Sequence, residues 1–126
     1  MPLPTAPAAS AGLAQTVLVI DDEAMVRRVV GRVLVRRGYR VLEGANVDDA
    51  LRVAAEHPID LVLSDMILPG GDGHHLVAAL RDLRPDAAVV FMSGHAPEAV
   101  AAAPFLRKPF AAEELLAAVR TALPLP

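Results

Sequence analysis

The chain has no cysteine and no tryptophan, and its aromatic residues are three phenylalanines and one tyrosine. Without cysteine, a disulfide framework and a thiolate metal site are both excluded. A surplus of positive charge is missing too. Twelve Lys and Arg stand against 15 Asp and Glu, a formal charge of −3, so the basic face usual for direct nucleic-acid binding is not expected. No apolar run approaches the ~18–20 residues of a spanning helix, and no membrane partner is expected. Residues 1–15 lack a basic start and are broken by Pro2, Pro4 and Pro7, unlike a secretory leader. They read as a flexible Pro/Ala-rich tail or linker remnant, and 124–126 as a short C-terminal tail. The lack of cysteine is compatible with a reducing compartment, and a cytoplasmic location is expected.

What is present is abundant aliphatic carbon. Hydrophobic residues make up 54% of 126 positions, enough to bury a single aliphatic core and too many for a disordered chain. Apolar runs alternate with helical patterns. Thr16–Ile20 (TVLVI) is a continuous β-branched run, the mark of a strand covered on both faces. Ala24–Arg37 carries Val26, Val29, Val30, Val33 and Leu34 at helical spacing, with Gly38 as its stop. Tyr39–Glu43 reads as a second strand, and Asn46 as the cap of a helix from Val47 to about Glu56. Leu61–Ser64 is a third strand and Leu68–Gly73 a loop. A helix follows over His74–Leu83, with Leu76, Leu80 and Leu83 inward. Ala87–Met92 and Phe105–Arg107 are the fourth and fifth strands, and Ala111–Leu123 the last helix. Residues 16–123 thus form one α/β domain with a parallel sheet and helices on both faces.

In such folds ligands bind at the carboxyl ends of the strands. Polar residues stand at four of those ends: Asp21 and Asp22, Asp65, Ser93 and Lys108. Singly, each is an ordinary turn residue or solvated charge; the set points to chemistry. Three clustered carboxylates repel unless a cation offsets them. All-oxygen donors favour a hard ion, Mg²⁺ or Mn²⁺, which binds one or two carboxylates together with phosphate. Lys108 suits a phosphoryl oxygen, Ser93 can donate to another, and an aspartate can accept the phosphoryl group.

These residues lie in VLVIDDE (17–23), LVLSDMILPGGDG (61–73), FMSG (91–94) and FLRKPF (105–110), and with them the chain resembles the receiver domains of bacterial two-component response regulators. The spacings, 43 residues from Asp22 to Asp65 and 28 more to Ser93, match that family. The resemblance implies a flavodoxin-like doubly wound five-stranded sheet of order 2-1-3-4-5. It implies Asp65 as phosphoacceptor, and Mg²⁺ held by Asp21, Asp22, Asp65 and the Ile67 backbone carbonyl. Ser93 and Phe105 are then the switch pair, and Lys108 the phosphoryl-binding cation ahead of a cis Lys108-Pro109 bond. The donor is a histidine kinase or histidine phosphotransfer protein, and the receiver of the signal an unknown downstream protein. Such a module catalyses only its own phosphorylation and dephosphorylation.

The chain departs from the family between Ser93 and Lys108, only 15 residues apart. Residues 95–104 must hold a whole crossover, which ordinarily takes a dozen residues or more, so the helix there is expected to be short or irregular. Ile67 and His95 each lie two residues past a site residue, positions that the resemblance implies flank the route of hydrolytic water, and both are expected to modulate it. Arg27, Arg28, Arg32 and Arg36 form a basic helix face, either solvated or a dock for a kinase. The length leaves no room for a DNA-binding output domain, so a free-standing regulator or a receiver excised from a hybrid kinase is expected. The alternatives are a Mg²⁺-dependent aspartyl-phosphate phosphatase and a phosphorylation-independent pseudo-receiver. The first wants an acid two residues after its nucleophile, where Ile67 stands; the second is disfavoured by the complete acidic, Ser and Lys set.

Overall fold

The computed structural model describes residues 14–69, 71–94 and 105–123, with 71–74 described by their backbone alone. Strands β1 (Thr16–Ile20), β2 (Arg40–Gly44), β3 (Leu61–Asp65), β6 (Ala88–Ser93) and β7 (Phe105–Arg107) form one parallel sheet in the order β2-β1-β3-β6-β7. Counting sheet strands only, this is the expected 2-1-3-4-5. Helices α1 (Ala24–Arg36), α2 (Val47–Glu56), α3 (Gly73–Leu83) and α4 (Ala112–Ala122) cover it. The expected short helix within 95–104, and His95 with it, lie outside the described residues, as do 1–13 and 124–126. Gln15, assigned above to the leader, already joins the sheet edge: its carbonyl accepts from Arg40 N–H at 2.9 Å.

All five residues of β1 are buried, which is why this strand has no polar alternation. Val17 and Val19 face one layer with Val30, Leu34, Leu63, Leu115 and Val119; Leu18 and Ile20 face the other with Val62, Leu76, Leu80 and Phe91. Each fully buried Leu or Val contributes about 1.5–3 kcal/mol relative to exposure. One inward assignment, Leu83, is corrected, and one apolar position of α1, Val29, lies at the edge of its stripe. Val29 is 54% exposed and Leu83 40% exposed, because both sit at the margin of their helix's apolar stripe, where helical spacing alone cannot separate inside from edge.

Local chemistry sets the helix ends. Asn46 accepts from Asp49 N–H at 2.8 Å while the Asp49 carboxylate accepts from Ala45 N–H at 3.1 Å, a reciprocal arrangement that satisfies donors at the α2 N-terminus. Glu114 accepts from Ala111 N–H at the start of α4. Gly38 takes the left-handed conformation, φ 91°, just beyond α1, as the stop signal predicts.

The stretch read as a loop contains a small antiparallel ribbon. Strands β4 (Ile67–Leu68) and β5 (Gly71–Asp72) pair Ile67 with Asp72 and Leu68 with Gly71. Two-residue strands show no periodicity, and their Pro and Gly content reads as turn. The ribbon carries the chain from Asp65 back over the α2 N-terminus, where Val47 N–H meets Pro69 O at 3.4 Å.

Candidate functional site

The parallel register brings four strand ends together. Ile20 pairs with Ser64 and Asp65 with Met92, so Asp21 and Asp65 leave neighbouring strands at one edge. Asp21, Asp22 and Asp65 each present a carboxylate oxygen, all within 4.8 Å of one another. Asp21 is fully buried, Asp65 half-buried and Asp22 exposed, so the cluster opens to solvent on the Asp22 side.

Lys108 closes the other side. Its Nζ lies 2.6 Å from Asp21 Oδ2 and 3.3 Å from Asp65 Oδ2. Burial would lower the pKa of this ammonium, but its hydrogen bond to Asp21 and the charges of Asp21 and Asp65 outweigh that cost, and the net shift is upward. It is therefore a fixed positive charge across the neutral range. Its backbone is fixed as well. Lys108 N–H donates to Ser93 O at 2.7 Å, and the Lys108-Pro109 peptide is cis.

Ser93 ends β6 and is buried, paired in register with Arg107. Phe105 opens β7 opposite Phe91 and is half-buried against the layer that holds Leu18 and Ile20. Ile67 is 71% exposed, two residues past Asp65 on β4. The structure thus brings Asp21, Asp22, Asp65 and Lys108 into one cluster, with Ser93 tied to it through the Lys108 backbone.

Three carboxylates facing one ammonium leave an excess of negative charge. All the donors are hard oxygens, which suits Mg²⁺ or Mn²⁺ and not a thiophilic metal.

One site residue was misplaced by sequence reasoning. Arg27, grouped above with an exposed basic face, is only 16% exposed in its side chain. Its Nη1 donates to the Asp21 carbonyl at 2.6 Å and its Nε to Glu43 Oε1 at 3.0 Å. Arg28, Arg32 and Arg36 remain exposed. The missed signal is register: Val19 pairs with Glu43, which brings an acid from the neighbouring strand to the β1–α1 turn.

Comparison with known proteins agrees with this architecture. The response regulator receiver domain family model matches residues 17–120. The sensor kinase CckA of Brucella abortus is 38% identical over 117 residues, covering 86% of this chain and 12% of that protein. The crystal structure of the receiver domain from the hybrid histidine kinase CckA is 39% identical, with TM-score 0.77, covering 86% of this chain and 98% of that one. A Burkholderia pseudomallei response regulator, solved with a phosphorylated aspartic acid, a calcium ion and citrate, is 36% identical with TM-score 0.77, covering 85% and 67%. The chain spans from about an eighth to about half the length of the curated relatives it matches. From the family match over most of its length, the chain belongs to the response regulator receiver domain family.

Proposed function

We propose that this chain is the phosphoacceptor of a two-component phosphorelay, with Asp65 taking the phosphoryl group from a phospho-histidine. The observation that carries this reading is the Lys108 ammonium held between Asp21 and Asp65 beside a third carboxylate. In the transfer, an Asp65 carboxylate oxygen forms a bond to phosphorus as the donor's P–N bond breaks. The electron pair returns to the imidazole nitrogen, and the peripheral phosphoryl oxygens keep their negative charge. Lys108 neutralises part of that charge, and Ser93 donates to a phosphoryl oxygen. Asp21, Asp22, Asp65 and the Ile67 carbonyl would hold Mg²⁺, which would supply positive charge to offset that of the carboxylates and the phosphoryl group.

The phosphoryl group then favours an arrangement of Ser93 and Phe105 that the free aspartate does not, and the populations shift accordingly. The signal leaves by an altered protein-binding surface. The chain acts once per phosphoryl group and turns over no separate substrate. The donor is a histidine kinase or histidine phosphotransfer protein, consistent with relatives that are themselves a sensor kinase and a hybrid histidine kinase receiver. A cytoplasmic location fits this chemistry; among the described residues no helix is long and apolar enough to cross a membrane.

Incubation with Mg²⁺ and acetyl phosphate, followed by intact mass measurement, tests the reading. The expected result is a persistent gain of one phosphoryl group that Asp65→Asn abolishes. Continuous release of inorganic phosphate without an accumulated adduct would favour a phosphatase, and no change would favour a pseudo-receiver.

A further inference from the structure

Asp21 is held at every polar atom. Its N–H donates to Gly44 O at 3.1 Å, its Oδ1 accepts from Glu23 N–H at 2.9 Å, and its Oδ2 accepts from Lys108 Nζ at 2.6 Å. Its carbonyl accepts from Arg27 Nη1 at 2.6 Å. That carbonyl belongs to the peptide joining Asp21 to Asp22. A peptide unit is planar, so fixing the oxygen fixes the direction in which Asp22 leaves the turn.

Arg27 is itself held by Glu43, through Nε at 3.0 Å. Glu43 comes from the edge strand β2, one position before Gly44, whose carbonyl receives the Asp21 N–H. The end of β2 therefore grips the peptide before and the peptide after Asp21: the first directly, the second through the Arg27 fork. A guanidinium offers several donors in one rigid plane for such a bridge, which the ammonium of Lys does not.

We infer that Arg27, anchored by Glu43, is a positioning residue that sets the Asp21–Asp22 peptide so that both carboxylates face a divalent cation. This rests on the metal-assisted phosphoacceptor reading above and adds to it a requirement outside the acidic cluster.

The sign of one effect separates positioning from charge. Arg27 is a cation beside a site for cations, so by charge alone its removal should tighten Mg²⁺ binding. Positioning predicts the opposite. Partners that orient metal ligands typically change metal affinity by 10–100-fold.

Calorimetric Mg²⁺ titration of the wild-type chain, Arg27→Ala, Arg27→Lys and Glu43→Ala makes the test, with thermal unfolding measured alongside. Both Arg27 variants are expected to bind Mg²⁺ about 10-fold more weakly, Lys failing because it keeps the charge but not the fork. Glu43→Ala should shift affinity the same way by less. In metal-free protein, Glu23 N–H, which donates to Asp21 Oδ1, should lose hydrogen-exchange protection in Arg27→Lys. Unchanged or tighter Mg²⁺ binding in the folded Arg27 variants, with or without a lower melting temperature, would overturn the inference and leave Arg27 a plain α1–β2 staple. If Arg27→Ala does not fold, Arg27→Lys and Glu43→Ala decide by the same criteria. A wild-type chain that binds no Mg²⁺ would instead overturn the phosphoacceptor reading beneath it.

Discussion

Lys108 Nζ and Asp21 Oδ2 stand 2.6 Å apart across 87 residues of sequence, one end partly open to water and the other fully buried. This pair joins the ends of β1 and β7 at the site. Lys108→Met should remove the ammonium in contact with both Asp21 and Asp65. Phosphorylation by acetyl phosphate is then expected to slow on the order of 100-fold, the usual effect of losing one charge-stabilising donor. Mg²⁺ affinity should hold or rise, because a competing cation has gone. Metal-free stability should fall by about 1–3 kcal/mol, since a buried acceptor loses its partner. Parallel Mg²⁺ titrations, rate measurements and urea unfolding check the three directions together.

Gly44 lies against the start of α2. A Cβ there would meet the Ala50 Cα at 3.1 Å and its N and Cβ at 3.2 Å. Backbone does not yield cheaply, so Gly44→Ala should destabilise by about 1–3 kcal/mol. The Gly44 carbonyl also receives the Asp21 N–H, so weaker Mg²⁺ binding should accompany the loss. Urea unfolding and calorimetry read the two effects separately.

Ile67 is 71% exposed two residues past Asp65, and the role proposed for its bulk is to shield the phosphoryl group from water. Ile67→Asn should hasten loss of the phosphoryl group several-fold while changing stability by less than about 0.5 kcal/mol, as exposed substitutions do. The decay of the phosphorylated mass after removal of donor checks this, and an unchanged half-life would remove Ile67 from the account.

Asp49 at the α2 N-terminus gives the expected pH dependence. The Ala45 N–H bond, opposed by some burial and aided by Arg52, holds its pKa below the ordinary carboxylate value. A carboxyl more acidic in the folded state stabilises above its unfolded pKa and loses that contribution as pH falls through the folded one. Stability should therefore decline below about pH 4, and Asp49→Asn should flatten this part of the acid limb. Chemical denaturation at stepped pH measures it.

Much of the fold was legible because doubly buried strands leave uninterrupted apolar runs: Thr16–Ile20 and residues 61–63 carry no alternation to be misread. The acids and Lys108 were legible for a related reason, since charge stands out at the end of such a run. Leu83 was misjudged, and the exposure of Val29 was not foreseen, because helical spacing assigns a face and not its boundary. Arg27 was misjudged because its partners lie off its own helix, on the β1 turn and on β2. Nothing local distinguishes it from Arg28, and only the pairing of Val19 with Glu43 does. The β4–β5 ribbon was invisible because two residues carry no period.

The most direct test of the central claim is chemical localisation of the phosphoryl group. After incubation with Mg²⁺ and acetyl phosphate, borohydride reduction converts an acyl phosphate on aspartate to an alcohol, and tandem mass spectrometry of the digest reads its position. The account predicts reduction at position 65, dependent on Mg²⁺ and absent from Asp65→Asn. Reduction at Asp21 or Asp22, or a phosphorylated chain with no reducible site at 65, would contradict it.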